Sequence, residues 1–254
     1  TPVGIVVALV AILGSMVMDG GSPAALISPS SLSLVFGGTF GAAMASAMMT
    51  DAKGMVPVLK SALGSKVAPP DEAIARMVSF AEAARRDGLL VLEDAAQDIE
   101  DPFFRQAIEM AVDGVDADQI KAVLGKEIES MRGRHKHGAK FFQDMGGFAP
   151  TVGILGTILG LIHVLGNLSS PEKLGPLIGA AFTATLWGVL SANIFWIPIS
   201  NKLKRMSDAE VRSKLLILDG ILAIQAGDSP RMVEQQLLTY VAPKERGDVR
   251  SRAA

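Results

Sequence analysis

The sequence predicts an all-α membrane protein with four transmembrane helices and a helical cytoplasmic domain. Three observations point to this. Four long apolar runs carry no charged residue, in a chain that is 49% hydrophobic and has only 5% aromatics. All but one of the 24 Lys and Arg fall in segments that four crossings would place on one side. No stretch shows the strict apolar–polar alternation of a half-buried strand, whereas several show the 3.6-residue period of a helix.

The apolar runs come first. A helix needs about 20 largely apolar residues to cross ~30 Å of hydrocarbon. The runs 2–18, 31–50, 145–171 and 174–201 meet or approach that length without Asp, Glu, Lys or Arg. The first is preceded by no basic segment and followed by no small-residue cleavage pattern, so it is expected to be a retained membrane helix and not a signal peptide. The mean hydropathy of +0.36 fits a chain with much of its length in lipid.

Orientation follows from the basic residues. Thirteen Lys and Arg lie in 51–140, ten lie from Lys202 onward, and the loop between the last two runs holds only Lys173. The basic side is the cytoplasm, so both termini are expected there. The expected organisation is 1–50, two spans with a short periplasmic loop; 51–144, a cytoplasmic helical domain; 145–201, two further spans; and 202–254, cytoplasmic helices and a tail.

Between the spans the pattern is helical. In 71–86, Ile74, Met77, Val78 and Ala81 mark one face, and Gly88 supplies a stop. Asp101 with Pro102 is a helix start, combining a capping carboxylate with a proline in the first turn. The segment 117–144 runs without a break into the third span. After the fourth span, 201–226 continues helical, and Ser229 with Pro230 opens a last short helix. From Pro243 the charged end is expected to be disordered.

Several chemistries are excluded. The chain has no cysteine, so it forms neither disulfides nor thiolate metal sites. Three histidines without a surrounding carboxylate cluster give no metal centre. A net charge of -2 argues against nucleic-acid binding. No G-x-x-x-x-G-K-[ST] loop and no nucleophile–base pair is present, so no cofactor and no enzymatic reaction are expected.

What the spans lack is informative. Ion pathways ordinarily carry an ionisable group inside the membrane. The third and fourth runs offer only Thr151, Thr157, His163, Thr183, Thr185, Ser191 and Asn193 as their main polar content. A carboxylate for ion transport has to come from a partner helix. Gly153, Gly156 and Gly160 give the third run a face for close packing, against helices of the same chain or a groove around another helix. Pro150 and Pro198 each remove a helical hydrogen bond toward the cytoplasmic side, as an ordinary kink or as a hinge.

Four segments carry a resemblance to a known family: AARRDGLLVLE at 83–93, MAVDGVDAD at 110–118, FAPTVGILGT at 148–157 and LDGILAIQ at 218–225. Over essentially its whole length the chain resembles the A subunits of bacterial flagellar stators, MotA and PomA, within the MotA/TolQ/ExbB superfamily. The resemblance implies a homo-oligomer of five A subunits around two B subunits of the MotB/PomB type, which supply the ion-binding Asp and grip peptidoglycan. It implies that the translocated ion is Na+ or H+, and that Thr157 and Thr185 line its path. It implies a coupling role for Pro150 and Pro198, and contact of Arg85, Arg86, Glu93 and Asp94 with the rotor switch protein FliG. A third-span threonine resembles the sodium-driven members. His163 departs from the family pattern. The alternative reading is an ion-driven energiser of a non-flagellar envelope process, of the ExbB, TolQ or gliding-motor kind.

Overall fold

The computed structural model describes residues 2–48, 54–64, 70–244 and 246–247. Among these the chain is all-α, with no strand. Helix α1 is Pro2–Met18. Helix α2 begins as Pro29–Leu32, passes through a π-turn at Ser33–Gly37 and continues as Gly38–Ser46. Helix α3 is Met55–Gly64, α4 Pro70–Asp87, α5 Leu92–Gln97 and α6 Pro102–Val112. Helix α7 is the 49-residue Ala117–Leu165. Helix α8 is the 55-residue Pro171–Gln225, with a second π-turn at Ala192–Trp196, and α9 is Pro230–Leu237.

The starts and stops follow from side-chain chemistry. Asp101 accepts a hydrogen bond from Phe103 N at 2.9 Å, and Pro102 takes the position where a missing N–H costs nothing. Ser229 caps α9 in the same way through Met232 N. Helix α4 ends at Gly88, whose φ of 85° lies in the left-handed region that glycine adopts without strain.

Some expected boundaries shift. The second run, expected over 31–50, becomes a helix that starts at Pro29 and ends at Ser46, with Ala47 extended and Thr50 outside the described residues. The third helix ends at Leu165, short of Pro171, because 166–170 turn the chain and Pro171 opens the next helix. Helix α3 was not foreseen. Pro176 also lies inside α8, so the fourth apolar run carries a second proline besides Pro198. Of the tail expected to be disordered, Glu245 and 248–254 lie outside the described residues.

The chain divides into two compact units. The first comprises residues 1–65 and 135–205. Here α7 and α8 are long and apolar enough to cross a membrane, and α1 is a shorter apolar helix. The most apolar stretch of α7 is only 22% buried by the chain itself. A core helix of a soluble protein would be mostly covered, so this apolar surface suits lipid or partner helices.

The second unit comprises residues 66–134 and 206–254. Its core joins Ile74, Met77 and Ala81 of α4 with Phe103, Phe104 and Ile108 of α6, Ile120 and Leu124 of α7, and Leu216 and Ile221 of α8. Gly220 sits where a Cβ would meet Met77 Sδ at 2.9 Å, so α4 and α8 approach closely there. Lys214 lies 4.3 Å from the centre of the Phe103 ring and 3.7 Å from Asp101, tying α8 to the start of α6.

The end of the described chain is latched by Tyr240, whose hydroxyl donates to Asp219 Oδ2 at 2.5 Å. Burial, then the Asp219 acceptor, raises the Tyr240 pKa above its ordinary value. A folded pKa raised above the unfolded one gives stability that is full below the unfolded pKa of about 10 and lost as pH climbs past it. The latch therefore holds at neutral pH and weakens in strong alkali. Tyr240→Phe leaves a half-buried carboxylate without its donor and should cost roughly 1.5–3 kcal/mol. Limited proteolysis checks this: the C-terminal segment is cut faster in the variant at pH 7, and in the parent only in alkali.

Candidate functional site

The site is built on a seam of small residues between α7 and α8. Gly160 faces Ala181, Gly156 faces Ala184, and Gly153 lies against Thr185 and Gly188. The partners descend along α8 as the glycines ascend along α7, so the helices run antiparallel. The fit is tight. A Cβ on Gly153 would stand 2.9 Å from the Ala184 carbonyl oxygen, and one on Gly188 would stand 2.6 Å from that of Ala149. Without these side chains the backbones come close enough for dispersion contact and for side chains to reach across to carbonyls. The small-residue face of α7 is thus directed at this chain's own fourth run.

The close approach places Thr157 and Thr185 together. Their hydroxyls are hydrogen-bonded to one another. Thr157 Oγ1 also reaches the Ala181 carbonyl at 3.0 Å and the Gly153 carbonyl at 3.4 Å, and Thr185 Oγ1 reaches that Gly153 carbonyl at 3.2 Å. Two hydroxyl and two carbonyl oxygens are therefore grouped on the seam. Oxygens of this kind can replace the water around a small cation. Neither threonine can take up a proton or supply a fixed negative charge near neutral pH, so the cluster coordinates or orients but does not carry charge.

Ser31, which no motif in the sequence marks, joins this neighbourhood from α2. Its hydroxyl donates to the Ala180 carbonyl at 2.9 Å, one residue before the carbonyl that Thr157 uses. Trp187 ties the same region to the loop before α2 by donating Nε1–H to the Leu26 carbonyl at 2.8 Å. Gly188 was missed as well. Its signal was present in the spacing Ala184-x-x-x-Gly188, the complement on α8 to the glycine pattern of α7.

The prolines lie at one tier of this pair. Pro150 lacks the N–H that would bond the Gly146 carbonyl, and Gly146 packs so closely on Ile197 that a Cβ would meet Ile197 Cγ1 at 2.6 Å. Ile197 is the neighbour of Pro198. Pro198 leaves the Ile194 carbonyl without its helical donor, and the π-turn Ala192–Trp196 takes up the irregularity just ahead of it. His163 is exposed near the end of α7, and its main-chain carbonyl accepts from Asn167 Nδ2 at 2.8 Å.

In the second unit, Arg85 and Arg86 end α4, while Glu93 and Asp94 begin α5. All four are exposed. Their positions suit the helix dipoles, with cations at a C-terminus and anions at an N-terminus. Arg86 Nε donates to Asp87 Oδ2 at 2.8 Å. Between the pairs, Gly88 breaks the helix with its positive φ and the buried Leu92 anchors the chain to the core. The two charge pairs thus flank one exposed turn. Among the described residues no group of three or more His, Cys, Asp or Glu is placed to hold a metal ion.

The sequence matches two family models: motility protein A N-terminal over residues 2–88, and the MotA/TolQ/ExbB proton channel family over residues 95–214. It is 37% identical to motility protein A of Bacillus subtilis (strain 168), covering 96% of this chain and 91% of that protein. It is 34% identical to chemotaxis protein PomA of Vibrio alginolyticus, covering 95% of this chain and 94% of that one. The fold matches a chain of the flagellar MotAB stator complex from Bacillus subtilis with a TM-score of 0.92 at 35% identity, covering 98% of both chains. With both halves of the chain matched and no large part of either relative left over, the chain belongs to the MotA/TolQ/ExbB proton channel family, on its motility protein A branch.

Proposed function

We propose that this chain is the A-type subunit of a flagellar stator, which couples ion flow across the membrane to torque on a rotor. The observation that carries the reading is the match of fold over 98% of both chains to a subunit of a flagellar stator complex. The site supports it chemically. The apolar stretches of α7 and α8 contain no Asp, Glu, Lys or Arg, yet Thr157 and Thr185 gather oxygens on the seam between them. Such a chain needs a partner helix bearing a carboxylate, which a peptidoglycan-anchored B subunit of the MotB/PomB type provides.

The finer parts of the proposal are these. The A chains assemble with B in a ratio of five to two, in the bacterial inner membrane, with four crossings and both termini cytoplasmic. Arg85, Arg86, Glu93 and Asp94 form the surface that meets FliG. The ion is Na+, because hydroxyl and carbonyl oxygens at Thr157 and Thr185 compensate a dehydrating cation, whereas a proton needs no such shell. Each charge crossing 100 mV supplies about 2.3 kcal/mol for the work.

The experiment is swimming speed in a stator-deleted host carrying this chain and its cognate B subunit, with external sodium varied. Speed that falls toward zero without sodium, and a Thr157→Ala variant that no longer responds to sodium, are the expected results. Speed indifferent to sodium but abolished by a protonophore makes the motor proton-driven and Thr157 a packing residue. No motility with the complex assembled overturns the flagellar reading in favour of another envelope process. In the same host Glu93→Lys should shrink swarms at unchanged protein level; full-sized swarms would reduce that carboxylate to a helix-end charge.

A further inference from the structure

Helices α2 and α8 each contain a π-turn, Ser33–Gly37 and Ala192–Trp196. A π-turn holds one residue too many, interrupts the regular ladder and leaves a carbonyl without its usual donor; such turns gather at functional places in helices. The two turns meet. Phe36 of the first packs edge-on against the Trp196 ring of the second, with centroids 6.2 Å apart. Phe142 of α7 stacks on the same indole at 6.5 Å.

Two polar atoms in this region have no partner. Trp196 Nε1 and Thr39 Oγ1 are both buried and make no hydrogen bond among the described residues. Thr39 follows the first π-turn on α2, one helical turn beyond Phe36, and is fully buried. Its behaviour is unlike that of its neighbours. Ser46 in α2, and Thr183 and Ser191 in α8, each turn the hydroxyl back to a carbonyl three or four residues earlier. Thr39 does not, although that bond is the usual one for a threonine inside a helix. Buried polar groups are nearly always paired, so two orphans on the residues of, and just after, the meeting π-turns point to a ligand.

We propose that the seam between α2 and α8 binds ordered water, received by the Trp196 N–H and held by the Thr39 hydroxyl. The chemistry selects water. An indole N–H is a donor only and presents its proton to the ligand, which rules out a metal cation at that atom. Both atoms are closed off from the surface within this chain, although the Trp196 ring is partly exposed, so neither lipid nor a partner subunit reaches them. A water at the indole accepts its proton and has two protons of its own to give, and a water at Thr39 can donate to Oγ1 or accept from it, the carbonyls released by the π-turns being the further acceptors. That meets the two to four polar partners a buried water ordinarily has. The site lies just ahead of Pro198. A water that can change partners lets α8 flex there without exposing a bare carbonyl.

Two measurements test this on the full chain, purified with its B partner in lipid nanodiscs. In a cryo-electron microscopy map good enough to show waters, density should stand about 3 Å from Trp196 Nε1. A well-resolved seam without such density overturns the proposal. The second measurement is the melting temperature of Thr39→Val, which keeps shape and removes the hydroxyl. If water is bound, the variant strands it and melts lower. If the seam is dry, valine relieves an unpaired buried hydroxyl and the variant melts at or above the parent, which overturns the proposal independently of the map. Trp196→Phe removes the indole donor of this site and should likewise melt lower and lose the density.

Discussion

Gly188→Ala should remove the folded protein from the membrane, while Gly125→Ala leaves its amount unchanged or slightly raised. The same added methyl meets different surroundings. At Gly188 it would stand 2.6 Å from the Ala149 carbonyl oxygen, 3.0 Å from Gly153 Cα and 3.3 Å from Gly153 N. All three are backbone atoms of α7, so no side chain can rotate away and relief requires the two helices to part. Adding one methylene-sized group to a packed interior costs roughly 1–3 kcal/mol even where side chains can yield. Here the separation would also break the contacts of Thr185 with the Gly153 carbonyl and of Thr157 with the Ala181 carbonyl. At Gly125, on α7 in the second unit, nothing stands within 4 Å of the same methyl. Exchange of glycine for alanine in a helix interior there gains about 1 kcal/mol. Immunoblots of membrane fractions and swarm diameter read both outcomes. A Gly188→Ala chain that accumulates and supports swarming would mean that the α7–α8 seam is looser than these distances.

That seam also marks how far the sequence could be read. The runs of uncharged residues, the helix starts at Asp101 with Pro102 and at Ser229 with Pro230, and the stop at Gly88 were visible because each is a local event. A capping oxygen, a missing N–H or a positive φ needs no knowledge of distant residues. The π-turns were not visible. They insert one residue into an otherwise regular apolar helix, and nothing in Ser33–Gly37 or Ala192–Trp196 differs in kind from its flanks. The early end of α2 at Ser46 was hidden for a similar reason, since the apolar run continues beyond it without glycine, proline or charge. Gly153, Gly156 and Gly160 announced close packing but not the partner. A small-residue spacing says that something approaches, and only the fold says that it is Ala181, Ala184 and Gly188 of the same chain. Orphaned atoms such as Thr39 Oγ1 are likewise beyond a sequence, because a partner's absence is a property of the surroundings.

Pro150→Ala should abolish motility while the complex with the B subunit still assembles. Packing and coupling separate at this residue. Pro150 is half-buried inside the continuous helix α7, and the close α7–α8 contacts on either side of it are made by Gly146, the Ala149 carbonyl and Gly153, not by the proline ring. Alanine fits in the proline's space and is the better helix former, so the variant loses nothing that assembly requires. It does gain a hydrogen bond. The new N–H reaches back to the Gly146 carbonyl, closing the ladder where proline had held it open. Gly146 is pressed against Ile197, the residue before Pro198, so stiffening α7 at this tier also stiffens the place where α8 is irregular. If ion passage bends the pair here and the bend is what reaches the cytoplasmic helices, a closed ladder uncouples the two. The expected result is a complex that copurifies with its partner, melts at or above the parent temperature and gives non-swimming cells. Normal swimming would leave Pro150 an ordinary irregularity of a membrane helix. Loss of assembly would instead place the proline in the packing of the seam, and would move the coupling step to Pro198 and the π-turn ahead of it.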